Sequence, residues 1–199
     1  MVKYTLPVNK IQSDLNIFVE MPTTSEQYDA VISTCKEVFE KKNTDYGPSW
    51  RLFRPSSLTD QIYIKAQRIR NIEQSGQNHV GDDVIGEFMG IVNYSLMALI
   101  QVAHPHNESD PMTPSSDINQ WYEQLIEDTK NLMVLKNSDY SEVWREMRIS
   151  SFTDMILVKL SRIKQIEDNK GKTTISEGVE GNYQDIINYA IFALIRFNE

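Results

Sequence analysis

The sequence predicts an all-α protein made by tandem duplication of a three-to-four-helix unit, with the two copies packed as an intrachain pseudo-dimer. The first observation is that residues 43–73 recur at residues 137–167 without a gap, and 16 of the 31 positions are identical. The second is that apolar residues recur at intervals of three and four in each copy, as in amphipathic helices. The third is size: a unit of about 80 residues is near the limit for a stable core of its own. The copies are therefore expected to pack on each other.

The repeat divides the chain into four predicted regions. An N-terminal arm covers residues 1–24, the first helical repeat 25–104, a linker 105–114 and the second repeat 115–199. The arm contains Pro7 and Pro22 and has no counterpart in the second half, whereas the linker is rich in proline and polar residues. His104 and His106 lie at the start of this linker, and two histidines without further spaced ligands do not favour a metal site.

The first helix of each repeat is predicted from a stripe of apolar residues. In the first copy the helix is expected to run from Ser25 to about Asn43, where Asp45 and Gly47 indicate a turn. The stripe consists of Tyr28, Val31, Ile32, Cys35, Val38 and Phe39, and the second copy repeats it from Tyr122 to Met133.

The second helix of each repeat is predicted to begin at Ser57 and Ser151. A hydroxyl there, with Asp60 or Asp154 three residues later, has the spacing of a helix N-cap.

The apolar stripe of this second helix contains a lysine in both copies. Leu58, Ile62 and Ile69 share one helix face with Lys65, and Lys159 occupies the same place in the second copy. An ammonium group on a core face is costly unless it is paired or solvated through a cavity. Its presence in both copies therefore indicates a binding site.

The third helix of each repeat, about 84–102 and 179–197, is apolar almost all round, which predicts the buried centre of the unit. Its polar exceptions in the second copy are Asp185, Asn188 and Tyr189; the first copy keeps Asn93 and Tyr94. Gly90 stands where the second copy has Asp185, and Glu87, one turn earlier, is a candidate substitute for the missing acid.

Composition limits the classes of function. Twenty basic and 28 acidic side chains give a net charge of −8, which argues against a general nucleic-acid surface. The single cysteine, Cys35, lies on an apolar stripe, so it is expected to be a buried core residue in a reducing compartment. No stretch approaches the roughly 18 apolar residues that a membrane span needs, and the predicted location is the cytoplasm.

The polar residues kept in both copies suit a phosphorylated small molecule. Lysine and arginine bind phosphate oxygens, an asparagine amide matches a base edge, and tyrosine and tryptophan faces stack on bases. The alternative is structural: Lys65 pairs with Asp45 or Glu87, and Trp50 and Trp144 are core residues, which is the favoured interpretation of the tryptophans. The predicted nucleotide-binding residues are Asp45, Tyr46, Arg51, Lys65, Arg68 and Asn93 in the first copy, and Asp139, Tyr140, Arg145, Lys159, Arg162 and Asn188 in the second. The preferred site is the second copy, around Lys159, Arg162, Asp185 and Asn188.

The run KN-x-DYG, a tryptophan, SS-x-T-D-x-I-x-x-K-x-x-R-I and then D-x-x-NY resembles the first nucleotide-modification-associated domain family, formerly a domain of unknown function. The resemblance covers nearly all of 25–104 and 115–199. That family is linked, mainly by genomic association, with phage and bacterial enzymes that modify deoxynucleotides. It is also distantly similar to all-helical nucleoside triphosphate pyrophosphohydrolases of the MazG and dimeric dUTPase type, which hold magnesium with E-x-x-E and E-x-x-D pairs.

The resemblance implies a nucleotide or deoxynucleotide phosphate ligand, and hydrolysis between its phosphates if the protein is an enzyme. In that case Lys159 and Asp185 are the catalytic candidates, and Asp185 and Glu180, with Glu177 nearby, are the Mg²⁺ candidates. The chain departs from the hydrolase pattern because its first helix has no E-x-x-E. The alternative function is a non-catalytic adaptor or dimerisation module, with a second copy or a nucleotide-modifying enzyme as its partner.

Overall fold

The computed structural model describes residues 22–77, 83–106, 113–173 and 178–199, and these parts of the chain form helices and no strand. Two short 3₁₀ turns, Ser49–Leu52 and Val143–Glu146, lie in equivalent places in the two repeats. The all-α prediction and the duplication are confirmed. Most of the predicted arm and the centre of the linker lie outside the described residues. The helices are α1 (Thr24–Tyr46), α2 (Pro55–Ser75), α3 (Val84–Ala103), α4 (Ser115–Tyr140), α5 (Ile149–Asp168) and α6 (Val179–Asn198).

The six helices form three layers of two. The central layer holds α3 and α6, which pack on each other; α2 and α5 cover one side, and α1 and α4 the other. The central helices are buried on all sides, as their apolar composition predicted. The prediction that no stretch approaches a membrane span is wrong for α3, which is long and apolar enough by composition, but 67% of its apolar window is buried inside the protein, as in a core helix.

Two reciprocal hydrogen bonds join the repeats through the central layer. The Tyr28 hydroxyl of α1 donates to Oδ1 of Asn188 on α6 (2.9 Å), and the Tyr122 hydroxyl of α4 donates to Oδ1 of Asn93 on α3 (3.0 Å). All four side chains are buried. The first helix of each repeat is thus hydrogen-bonded to the third helix of the other repeat, so the two repeats form one pseudo-dimeric unit.

The contact between α2 and α5 is reciprocal as well. The Asp60 carboxylate lies 2.8 Å from the Lys164 ammonium group, and Asp154 lies 3.4 Å from the Arg70 guanidinium group. These aspartates were predicted to help cap their own helices, and that prediction is wrong. They pair across the two repeats instead.

The predicted N-cap serines are also displaced from the helix ends. Helix α2 begins at Pro55 with Arg54 as N-cap, so Ser57 lies inside the first turn; α5 likewise begins after Arg148 and encloses Ser151. Proline is well placed at the first helical position because the amide it lacks would have no partner in the helix. Neither N-cap residue makes a side-chain hydrogen bond to its helix.

Helix α1 is longer than its apolar pattern indicated. It continues past Asn43, and Asp45 and Tyr46, which were predicted to form a turn, belong to its last turn. Gly47, with φ of 61°, ends the helix, and a positive φ there favours glycine. Helix α4 similarly continues to Tyr140.

The residues expected in the core are there. Trp50 and Trp144 are 6% and 5% exposed. Cys35 is fully buried, and burial raises the pKa of its thiol to about 12, which keeps it protonated and unreactive at neutral pH.

Replacing Glu167 with glutamine is expected to raise the melting temperature at pH 7 and to have no such effect near pH 4. The Thr59 hydroxyl donates to this half-buried carboxyl at 2.8 Å, a contact that the glutamine carbonyl oxygen keeps. Burial raises the pKa of Glu167 above the unfolded value. The ionised carboxylate therefore destabilises the fold increasingly as the pH rises through the folded pKa, and the penalty is absent below the unfolded pKa.

Thermal denaturation of the parent and of Glu167→Gln at both pH values checks this prediction. Glu127→Gln on α4 is the matched control because Glu127 is exposed. An equal gain for both variants at pH 7, or a Glu167→Gln gain that is independent of pH, would contradict it.

Candidate functional site

In the first repeat the lysine on the core face of α2 is paired with an acid from α3. The Lys65 ammonium group lies 3.0 Å from one oxygen of Glu87, and the Arg68 guanidinium group lies 2.5 Å from the other. The Glu87 side chain is 8% exposed, whereas that of Lys65 is 25% exposed. Glu87 therefore replaces the missing acid as the partner of Lys65, as the sequence indicated, but no ion pair among the described residues joins it to Lys42, and Lys65 keeps access to solvent.

In the second repeat the corresponding lysine is held in a closed triad. The two carboxylate oxygens of Asp185 accept separate ammonium groups, from Lys159 at 2.5 Å and from Lys136 at 2.6 Å. The side chains of Lys159 and Asp185 are 15% and 7% exposed. Both oxygens of the buried acid are thus already neutralised by residues of its own repeat.

Gly90 creates the main difference between the repeats. It lies at the position of Asp185, and a Cβ atom built on it would lie 2.7 Å from Cε of Lys65. The Lys65 side chain therefore runs along the surface of α3 through space that a side chain at position 90 would occupy.

Next to Gly90 the first repeat contains a cavity of about 430 Å³ between α1, α2 and α3. This volume lies in the range of small-ligand sites. Lys42 of α1 lines it and has no ion pair within the described chain, although its counterpart Lys136 is bound to Asp185. The cavity wall also includes Lys65, Glu87, Asn93, Tyr94 and the apolar Val38 and Phe39.

The aromatic wall of the cavity lies close to the cation. The Tyr94 ring centre is 5.8 Å from the Lys65 ammonium nitrogen. The Asp83 carboxylate also lines the cavity but accepts hydrogen bonds from the amides of Ile85 and Gly86, so it caps α3. The cavity thus offers Lys42, Lys65 and an aromatic face, while Asp83 caps α3 and Glu87 is paired with Lys65 and Arg68.

The two predicted asparagines have structural partners. The Asn93 amide donates to the Cys35 carbonyl oxygen at 2.9 Å and accepts from Tyr122, and Asn188 accepts from Tyr28. Both join helices of the core. Asn93 also borders the cavity.

Arg51 and Arg145 occupy equivalent places before α2 and α5, away from the cavity. Arg51 is 5% exposed and donates to Gln101 and to the His104 carbonyl oxygen. Arg145 binds carboxylates, with Glu142 at 2.9 Å and Glu199 also in contact.

The remaining predicted residues are exposed, and none of them lines the cavity. Tyr46 and Tyr140 are 72% and 67% exposed at the ends of α1 and α4. The others in this group are Asp45, Asp139, Arg162 and Glu180.

The described residues do not fit the predicted magnesium site. They contain no group of three or more His, Cys, Asp or Glu side chains that could hold a metal ion. Asp185 is saturated by two lysines, and Glu180 is exposed. Glu177 lies outside the described residues.

Lys42 and Lys136 are the functional candidates that sequence reasoning missed. Each lysine stands immediately before the repeated segment, in the dipeptide KN. The presence of this lysine in both copies was the sequence signal that could have identified it. From its helical position alone, each lysine is expected to be exposed. The contact of Lys136 with α6 and the place of Lys42 in the cavity wall both depend on how the helix layers pack.

The chain was compared with known proteins. No curated protein and no solved structure matches it significantly. A family model described as nucleotide modification associated domain 1 matches twice, at residues 42–102 and 136–197, and these ranges contain the lysines, Gly90 and Asp185. The two matches cover more than half of the chain and coincide with the two repeats, so the protein belongs to the nucleotide modification associated domain 1 family as a tandem pair.

Proposed function

We propose that the protein binds the phosphate of a nucleotide, in particular a deoxynucleotide, in the cavity of the first repeat. The observation that carries the proposal is that Gly90 stands where the second repeat has Asp185, so that Lys42, beside an open cavity, has no carboxylate partner among the described residues. Membership of a family named for nucleotide modification supports the same ligand class. The cytoplasm remains the proposed location.

The second repeat indicates where the phosphate would lie. There the Asp185 carboxylate bridges Lys136 and Lys159, and the equivalent lysines of the first repeat are Lys42 and Lys65. We expect a phosphate oxygen to take the bridging position in the first repeat.

The contacts available at that position suit a nucleotide. Lys65 is bound to Glu87 by one contact, but an ammonium group has three donors and keeps capacity for the ligand. The Tyr94 ring supplies a face for the base or sugar. This proposal moves the main site from the second repeat, which the sequence favoured, to the first.

A matched pair of lysine variants tests the proposal. Lys42→Gln is expected to weaken nucleotide binding about tenfold or more, because a hydrogen bond to a charged group contributes about 1.5–3 kcal/mol. Lys136→Gln removes the equivalent lysine of the second repeat, which is paired with Asp185, and is expected to leave binding unchanged. The measurement is the thermal shift, followed by titration calorimetry, with deoxynucleoside mono-, di- and triphosphates, each with and without Mg²⁺.

Equal effects of the two substitutions would contradict the placement of the site, and a parent protein that no nucleotide stabilises would contradict the function. Lys42 is exposed, so its loss is expected to leave the fold intact. Following ³¹P signals in the same samples would detect hydrolysis and separate an enzyme from a binding protein.

The adaptor function keeps one specific observation in its favour. Ile64 on α2 and Val158 on α5 occupy equivalent positions and are 58% and 51% exposed. Paired apolar side chains on an outer face suit a protein partner. Indifference to every nucleotide, together with loss of partner binding in Ile64→Lys, would favour this function.

A further inference from the structure

We propose a second anion site in the first repeat, at the N-terminus of α2, where Arg51 and Arg54 bind a phosphate group. It is separate from the cavity proposed for the nucleotide phosphate. Lys65 lies ten positions beyond Pro55 along α2, which corresponds to about 15 Å. A single phosphate group cannot reach both places.

Arg51 is a buried cation without a carboxylate partner among the described residues. Its guanidinium group donates to the side-chain oxygen of Gln101 and to the His104 carbonyl oxygen, the latter at 2.7 Å. The Nε atom is buried and has no acceptor. Burial lowers the pKa of Arg51, as expected for a charge that its surroundings compensate incompletely.

The second repeat shows how the same arginine is neutralised internally. Arg145 binds the carboxylates of Glu142 and Glu199. The corresponding positions of the first repeat hold Pro48 and His104. Both acids that neutralise Arg145 are thus missing around Arg51, in the same repeat that lacks the counterpart of Asp185.

Arg51 lines a cavity of about 220 Å³ at the start of α2. Arg54, Pro55 and His106 also line it, and no acidic residue does. Arg54 is the N-cap residue of this 21-residue helix and makes no side-chain hydrogen bond to it. The positive end of α2 therefore has no capping hydrogen bond from its N-cap side chain. A helix N-terminus, two guanidinium groups and an imidazole all favour an anion.

The chemistry selects a phosphate group. The exposed Arg54 presents paired N–H donors that match two oxygens of a phosphate, and the positive end of the α2 dipole adds to the attraction. Leu52 and Phe53, also in the cavity wall, are 74% and 38% exposed and leave room for the organic part of a phosphate monoester. Free phosphate and a phosphate monoester would both be bound through the same phosphate oxygens.

The test uses the full chain, inorganic phosphate as the probe and a matched pair of arginine variants. We expect phosphate to raise the melting temperature more than sodium chloride of equal ionic strength and to shift the imidazole NMR signals of His106, which His106→Asn assigns. Arg54→Gln is expected to weaken phosphate binding about fivefold or more. Arg148→Gln, the equivalent change before α5, is expected to have no effect. Both arginines are exposed, so both variants are expected to fold.

Equal effects of Arg54→Gln and Arg148→Gln, or a phosphate effect no greater than that of chloride, would overturn the proposal. Phenyl phosphate as a second probe distinguishes the ligand sources: tighter binding than free phosphate assigns the site to a monoester, and equal binding assigns it to the free ion. His106 lines this site and not the nucleotide cavity, so Lys42→Gln, which weakens binding in that cavity, is expected to leave the phosphate-dependent shift of the His106 signals unchanged. The failure of this proposal is thus distinguishable from failure of the nucleotide proposal.

Discussion

Replacing Asp185 with alanine is expected to lower the free energy of unfolding by about 3–5 kcal/mol, which is the range found when one partner of a buried ion pair is removed. The carboxylate is buried and bridges Lys136 and Lys159. Without it the Lys159 ammonium group, only 15% exposed, would remain inside the protein with no neutralising charge. Lys136 is 45% exposed and is expected to turn into solvent at little cost.

Urea denaturation of the parent and variant measures the loss. Glu180→Ala is the matched control, since it removes an exposed acid from the same helix and is expected to change stability by no more than about 0.5 kcal/mol. A double variant, Lys159→Met with Asp185→Leu, is expected to recover most of the stability because apolar residues replace the buried charges. A loss for Asp185→Ala no larger than that for Glu180→Ala would show that Lys159 does not depend on the acid.

The fold was predictable because it follows from local patterns. Apolar spacing gave the helices, and the all-apolar third helix gave the central layer. The gapless repeat required two similar units. The lysine on a core face, Lys65 or Lys159, correctly indicated charge inside the protein, since the energetic cost of that position does not depend on knowing the partner.

The partners themselves were not predictable, because they come from other helices. Tyr28 reads as a core residue of α1, and only the crossing of α1 over the central layer brings its hydroxyl to Asn188. In the same way, Asp60 has the spacing of a capping residue, but the start of α2 at Pro55 and the packing of α5 direct it to Lys164. The spacing of Asp60 predicts a capping role, but the packing of α2 on α5 determines its actual partner.

The site was placed in the second repeat because Asp185 is there, and the structure shows why that inference was incomplete. An acid that bridges two lysines gives each of them a carboxylate partner, as Asp185 does for Lys136 and Lys159. A repeat that lacks this acid leaves a lysine to be satisfied by something else. The absence of an acid at Gly90, and not the presence of Asp185, therefore points to the ligand.

Replacing Gly90 with aspartate is expected to weaken nucleotide binding about tenfold or more while the fold is kept. The new carboxylate would stand where Asp185 stands in the second repeat and would bridge Lys42 and Lys65, the groups proposed for the phosphate. The Cβ atom would meet Cδ and Cε of Lys65, which belong to a flexible side chain and can move aside. Because glycine is unfavourable inside a helix, the unliganded variant is expected to be at least as stable as the parent.

Titration with the deoxynucleotide that stabilises the parent most measures this effect, and Gly90→Ala is the matched variant. Alanine adds the same Cβ atom and the same gain in helix propensity but no charge, so it separates the volume of the side chain from its carboxylate. We expect about a tenfold or greater loss of affinity for aspartate, from a competing internal anion and like-charge repulsion, and a smaller loss for alanine. Parent-like binding by Gly90→Asp would mean that the phosphate does not lie between Lys42 and Lys65. Equal losses for the two variants would mean that space, and not the unsatisfied positive charge, defines the site.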